Sequence, residues 1–283
     1  MIVEGIDETV STDYYERDLQ LSDRRVLVTG AGGGIGEGIA RTIAGLGAIV
    51  AVNDISPEAA ERVTARIVEA GGRAVAMAGD ITETSQATAV ISRAAVALGG
   101  LDGLVNNAGI TGTREFEEIG RDGWDQVLAL NLSAPFHLSA LAAPYLRESV
   151  AGRIVNIASI AGIRVSVLGG AAYTASKAGL IGLTRHLAME LAQDGVTVNA
   201  ILPGITVTPL VRSQLSPQKL AEIEQTVPLG RAASPEDIGW LVSFLLSERS
   251  GYVSGTATEV DGALAVLPGD FTSYRSSRAK EVS

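Results

Sequence analysis

The chain contains no cysteine, which excludes disulfides and thiolate metal sites. Its two histidines, His137 and His186, lie far apart in apolar helical patterns that suit packing or surface positions, so no metal site is expected. Basic residues are also scarce. Lys and Arg total 22 against 32 Asp and Glu, a net charge of -10. That balance disfavours nucleic acid, which requires a basic footprint, and disfavours acidic protein partners. No run approaches the roughly 18 uninterrupted apolar residues of a membrane span, and the acidic start Met1-Ile2-Val3-Glu4 lacks the basic and apolar regions of a secretory signal. A membrane partner is therefore not expected, and the default expectation is a cytoplasmic location.

What the chain does have is apolar residues, 46% of 283, with only 19% charged, the composition of a packed globule with a sizeable core. From Arg25 onward, short β-branched runs alternate with helical patterns: Val26–Thr29, Ala48–Val52, Arg73–Met77, Gly103–Asn106, Arg153–Ile157, Thr197–Ile201 and a final short run at Ala257–Val260. The first six are almost wholly apolar, as strands covered on both faces must be. This predicts an α/β fold with a doubly wound, mostly parallel sheet in a single domain. The domain is expected over residues 23–267, behind an acidic leader (1–22) and ahead of a tail (268–283).

The first strand runs into Thr29-Gly30-Ala31-Gly32-Gly33-Gly34-Ile35-Gly36 and then a helical pattern. A glycine-rich turn between strand and helix lets backbone N–H groups approach a pyrophosphate at the positive end of the helix dipole. Gly30, Gly33, Gly34, Ile35 and Gly36 are the candidate contacts. Asp54 ends the second strand, where a carboxylate can accept both hydroxyls of an adenosine ribose and would repel a 2′-phosphate by about 1 to 4 kcal/mol. No Lys or Arg stands in the glycine turn or beside Asp54 in sequence, so NAD is expected over NADP. The plainer reading is that Asp54 opens the turn before Ser56-Pro57.

In Ala172-Tyr173-Thr174-Ala175-Ser176-Lys177, a tyrosine and a lysine stand four apart, on one face of a helix. A free phenol has a pKa of about 10. A cation about 5 Å away contributes roughly 3 kcal/mol at an effective dielectric near 20, lowering that pKa by about two units. The pair is thus expected to bring Tyr173 into the working range of general acid/base catalysis.

Together these motifs resemble the short-chain dehydrogenase/reductase family, and the likeness covers residues from about 24 to 266. Thr29-Gly30-x-x-x-Gly34-x-Gly36 is similar to its cofactor turn, Gly79-Asp80-Ile81 to its adenine contact, and Asn106-Asn107-Ala108-Gly109 to the motif that supports the cofactor. Pro203-Gly204 with Thr208 resembles the segment that holds the nicotinamide carboxamide. The resemblance implies a Rossmann fold, NAD as cofactor, and a catalytic set of Asn131, Ser159, Tyr173 and Lys177. Tyr173 would move the proton of a secondary alcohol or ketone, and Ser159 would hold the same oxygen. Lys177 would tune Tyr173 and bind the nicotinamide ribose, while Asn131 would hold a water in the proton relay.

By the same resemblance, Ile163–Gly169 and Pro209–Ser216 would wall the substrate, with Val167, Leu168 and Leu210 joining Ser159 and Tyr173 as contacts. Both segments are mainly apolar, which favours a hydrophobic small-molecule substrate over a free sugar. Arg164 and Arg212 could alternatively meet a substrate carboxylate or phosphate. Reduction of 3-oxoacyl groups on a carrier protein or CoA is the competing activity, and a non-catalytic NAD-binding sensor or scaffold the competing class. Enoyl-reducing relatives widen the tyrosine-to-lysine spacing. The family also implies a homotetramer, for which Leu180, Leu183, Leu187 and Leu191 supply an apolar stripe that suits either core or interface.

Overall fold

The computed structural model describes residues 19–112, 116–165, 169–208 and 216–266, together with 271, 274 and 276. Seven parallel strands form one sheet: β1 Arg25–Val28, β2 Ile49–Asp54, β3 Arg73–Ala78, β4 Gly103–Asn106, β5 Arg153–Ile157, β6 Thr197–Pro203 and β7 Ala257–Val260. Their order is β3-β2-β1-β4-β5-β6-β7. Every neighbouring pair is parallel, with Val26 opposite both Val50 and Gly103. The order reverses between β1 and β4, and a doubly wound sheet opens a crevice at the carboxyl ends of its strands there.

The apolar runs are continuous because alternate residues face two different cores. Leu27, Ala51, Leu104, Ile154 and Val198 pack under α3 (Thr84–Leu98) and α5 (Ala134–Arg147), with Leu187 and Leu191 beside them. Val26, Val28, Val50, Val52, Val105 and Val155 face α1 (Gly34–Gly45), α2 (Pro57–Glu69) and α8 (Pro235–Leu246). Helices α1 and α8 touch through glycine: a Cβ on Gly38 would lie 2.2 Å from Pro235 Cβ, and one on Gly239 would lie 2.6 Å from Thr42 Oγ1. Three further helices are α4 (Gly120–Leu128), which leads into α5, α6 (Gly170–Glu190) and α7 (Pro217–Thr226).

Strands three, four, five and seven begin where the alternation places them, and β2 and β6 run on to Asp54 and Pro203 because Ala78 and Val260 remain in register to pair with them. The leucine stripe on α6 belongs to the core of the single chain. Leu180, Leu187 and Leu191 are buried and the partly buried Leu183 packs beside them. The span Gly120–Arg147 is long and apolar enough to cross a membrane, yet Ala134, Leu138, Ala142 and Leu146 cover the sheet.

At the amino ends of the strands a buried cation cluster closes the sheet. Asp102 accepts from Arg25 Nη2 at 2.7 Å, from Arg25 Nε at 2.8 Å and from Ser149 at 2.6 Å. Arg24 donates to the Ala151 carbonyl, and Arg153 donates to the Ser247 and Gly152 carbonyls. Burial alone would raise the Asp102 carboxyl, but the hydrogen bonds from Arg25 and Ser149 outweigh it and hold the group at about 2.

Candidate active site

The crevice at the switch point is a cleft of about 1200 Å³, lined by residues from the glycine turn, the ends of β2, β4, β5 and β6, and the first turn of α6. The Thr29 hydroxyl accepts from the amides of Asn107 and Ala108 at 3.0 and 3.1 Å, while Asn107 Nδ2 donates to the carbonyls of Thr29 and Gly30 at 2.9 and 3.1 Å. The glycine turn is thereby fastened to the end of β4.

The glycines differ in what they do. Gly30 and Gly34 have φ of +59°, a region that disfavours a side chain, and a Cβ on Gly36 would stand 2.3 Å from the Gly30 carbonyl oxygen. Gly33 lines the cleft with nothing within 4 Å of the position of a Cβ, and it leads into α1 with no side-chain cap. Gly34 and Gly36 therefore shape the turn, while Gly30, Gly33 and Ile35 face the cavity. An uncapped helix start behind an open glycine fits an anionic pyrophosphate.

Asp54 lies in the same cleft, opens the turn into α2 and is also tied to the glycine turn. Oδ1 accepts from the Ser56 amide at 3.0 Å, opening the turn into α2, and Oδ2 accepts from the Gly32 amide at 3.0 Å. Asp80 and Ile81 line the cleft near it, with Asp80 held by Thr82 through 2.9 and 2.7 Å bonds. Asn53 joins β2 to β3 by donating to the Met77 and Gly79 carbonyls. One feature corrects the expectation of no cation here: Arg62, eight residues beyond Asp54, folds back from α2 and donates to the Gly32 carbonyl.

At the other end, Ser159, Tyr173 and Lys177 line the cleft beside Gly109, Pro203, Gly204 and Thr208. Ser159 follows β5 and caps a short 3-10 turn by accepting from the Ala161 amide at 3.1 Å. Lys177 is buried, with Nζ 2.8 Å from the Ile157 carbonyl and 5.6 Å from the centre of the Tyr173 ring. Gly109 admits this amine: a Cβ there would lie 3.5 Å from Nζ and 3.2 Å from Asn131 Oδ1. Gly204 is pressed against Asp261, whose Cα would be 2.7 Å from a Cβ.

The electrostatics depart from the sequence expectation. Burial pushes the Tyr173 phenol above 10, with the Ser159 hydroxyl pulling the other way, and burial lowers Lys177 to about 8. Spacing alone carries no desolvation, which acts on both groups and reduces the charge available to lower the phenol.

Asn131 sits fully buried in a π turn, Ala129–Ser133, between α4 and α5. Oδ1 accepts from the Ile110 amide at 2.9 Å, and Nδ2 donates to the Ile110 carbonyl at 2.8 Å and the Ser176 hydroxyl at 3.1 Å. Both side-chain donors are engaged, so the carboxamide braces the loop after β4 against α6. Ser176 passes the brace on by donating to the Tyr173 carbonyl at 2.8 Å.

The substrate candidates Val167, Leu168 and Leu210 lie outside the described residues, as does Arg212. Arg164 donates to the Leu264 carbonyl, joining the serine-to-tyrosine segment to the chain beyond β7. Ile110, Thr111, Gln126, Ala129 and Leu130 line the cleft and were missed by sequence reasoning. Their only signal is their position between two motifs.

A family model described as enoyl-(acyl carrier protein) reductase matches residues 30–264. The oxidoreductase UcpA of Escherichia coli is 38% identical over 256 residues, covering 88% of this chain and 97% of that protein. Cyclohexanol dehydrogenase of an Acinetobacter species is 37% identical over 245 residues, 86% of this chain and 96% of the relative. Among solved structures, a 7α-hydroxysteroid dehydrogenase complexed with NADH and 7-oxo glycochenodeoxycholic acid superposes with a TM-score of 0.80 at 36% identity, covering 86% of this chain and 95% of that one. The chain belongs to the short-chain dehydrogenase/reductase family, a family of oxidoreductases with alcohol dehydrogenases among its members.

Proposed function

We propose that this chain is an NAD(H)-dependent oxidoreductase acting on a hydrophobic secondary alcohol or the corresponding ketone, with Tyr173 as general acid and base. The observation that carries the reading is the convergence of Tyr173, Ser159 and Lys177 on one cleft whose other end is the glycine turn and Asp54. Bound along that cleft, a nicotinamide dinucleotide would supply or accept the hydride. Gly30, Gly33 and Ile35 would hold its pyrophosphate, Asp54 its adenosine ribose, Asp80 and Ile81 its adenine, Lys177 its nicotinamide ribose, and Pro203, Gly204 and Thr208 its carboxamide.

In the reduction direction, a phenol kept protonated by burial gives its proton to the carbonyl oxygen, while the Ser159 hydroxyl donates to the same oxygen as charge develops. In oxidation the phenolate takes the alcohol proton, and Lys177 at the ring supports that charge. The lining Ile110, Ala129 and Leu130, with Thr111 and Gln126 as polar exceptions, suits an apolar substrate. The relatives named for cyclohexanol and hydroxysteroid substrates have cyclic secondary alcohols in common. The four-residue spacing of Tyr173 and Lys177 supports alcohol and carbonyl chemistry over the enoyl reduction in the family model's description.

The test is to follow NADH absorbance with a panel of cyclic, aryl and hydroxyacyl secondary alcohols, for wild type and Tyr173→Phe. The variant should bind NADH normally and lose about 10²- to 10⁴-fold in kcat. Retained turnover would assign the proton transfer to another group, and no turnover by wild type would favour a binding protein.

A further inference from the structure

The adenosine end of the cleft carries two opposite charges around one residue of the glycine turn. Gly32 gives its N–H to Asp54 Oδ2 at 3.0 Å and takes the Arg62 guanidinium on its C=O. The arrangement follows from how α2 starts. Ser56 caps the helix by accepting from the Ala59 amide at 3.1 Å, Pro57 occupies the first turn, and Ala59 is pressed so close to Gly32 that a Cβ on the glycine would lie 2.7 Å from Ala59 Cβ. Arg62, three residues on, emerges on the same face as Ala59 and so at the rim of the turn.

Arg62 keeps most of its donor capacity. A guanidinium has five N–H groups, and the Gly32 carbonyl engages one nitrogen. Among the described residues no carboxylate lies within ion-pair distance of Arg62, in contrast to Arg66 one turn later, which pairs with Glu37 at 2.7 Å. Asp54, for its part, already binds two amides and lines the cleft end.

We propose that Arg62 is a specificity-determining residue for the cofactor: it is the cation that meets a 2′-phosphate on the adenosine ribose, and rejection of NADP rests on Asp54 alone. The inference builds on the dinucleotide reading above. An arginine fork matches phosphate geometry, so with the Asp54 charge removed the same turn becomes a phosphate-accepting one without any new basic residue.

The experiment measures binding of 5′-AMP and 2′,5′-ADP by calorimetry to wild type, Asp54→Ser, Arg62→Ala and the double variant, with kcat/KM for NAD and NADP alongside. Asp54→Ser should gain 10-fold or more in 2′,5′-ADP affinity. Adding Arg62→Ala should reverse that gain by at least 10-fold while changing 5′-AMP affinity less than 3-fold, and raising salt should shrink the difference. Where Asp54→Ser does not fold, Asp54→Asn replaces it, and the Arg62→Ala comparison in the wild-type background gives the same sign.

Equal 2′,5′-ADP affinity with and without Arg62 overturns the proposal. Equal loss of both probes on Arg62→Ala also overturns it, because the side chain would then only hold the turn in shape. Wild type preferring NADP, with Arg62→Ala lowering that preference, would refute the NAD assignment and uphold the role of Arg62. Failure of every variant to bind 5′-AMP would remove the nucleotide site itself, and the proposal with it.

Discussion

Lys177 Nζ donates to the Ile157 carbonyl at 2.8 Å, which anchors a buried amine on the last residue of β5 with its nitrogen 5.6 Å from the centre of the Tyr173 ring. The lysine is thus positioned by the sheet as well as by its own helix.

Burial holds Lys177 at about 8 in the folded chain, against 10.5 as its ordinary value. The sign follows from proton counting. Between those two values the unfolded chain binds more protons than the folded one, so stability contributed at this site rises with pH. Below about 8 both states are protonated and the burial penalty is felt in full. The stability difference between wild type and Lys177→Met should therefore move in favour of wild type by about 3 kcal/mol from pH 7 to 10.5. Urea unfolding of both proteins across that range checks it; a constant difference would mean that the amine is not desolvated.

Asp102 carries the opposite sign. Its carboxyl, held at about 2 by Arg25 and Ser149 against burial, adds stability that is present above its ordinary value of 3.8 and lost as pH falls through about 2. Asp102→Asn should cost about 2 to 4 kcal/mol at pH 7, because it leaves Arg24 and Arg25 short of a countercharge, and much less at pH 2.5. Denaturant midpoints at the two pH values are the measurement, with an equal cost at both sinking the assignment.

Gly33 and Gly36 are separable by alanine. Gly33 is extended and open, so Gly33→Ala should leave stability within about 0.5 kcal/mol while a methyl in the cleft weakens NADH binding. Gly36→Ala drives a methyl onto the Gly30 carbonyl and should lower both binding and stability, the latter by about 1 to 3 kcal/mol. Fluorescence titration with NADH and thermal melts would show the contrast.

Asn131→Ala removes three hydrogen bonds and leaves the half-buried Ile110 amide and carbonyl without that partner. An expected loss of about 2 to 4 kcal/mol in stability accompanies a fall in kcat, since the loop after β4 and the turn carrying Tyr173 lose their shared brace. Asn131→Asp can still accept from Ile110 but sets an acceptor against its carbonyl, and should recover little. Full activity in Asn131→Ala would show that the brace is dispensable.

Much of this was legible in the sequence because its causes are local. Val26–Val28 and Ile154–Ile157 read as buried strands since each side chain has apolar cover whichever way it points. The glycine turn, Asp54, Tyr173 and Lys177 could be read from spacing and Ser159 from the family resemblance, and the sheet brings them to one crevice. What spacing does not encode is the surroundings. Desolvation of Tyr173 and Lys177 depends on what packs over them, and Arg62 reaches Gly32 only because Ala59 seats α2 on the turn. The brace that Asn131 makes to Ile110 and Ser176 is likewise set by how the chain folds around it.

The close crossing of α1 and α8 at Gly38 and Pro235 has a bearing on synthesis. The glycine turn is made early, but the helix that backs it is translated roughly 200 residues later, and in an all-parallel sheet no strand can zip to its neighbour through a local hairpin. A nascent chain must therefore hold an exposed apolar helix face until almost its last portion leaves the ribosome, which makes that interval the one in which chaperone protection matters most.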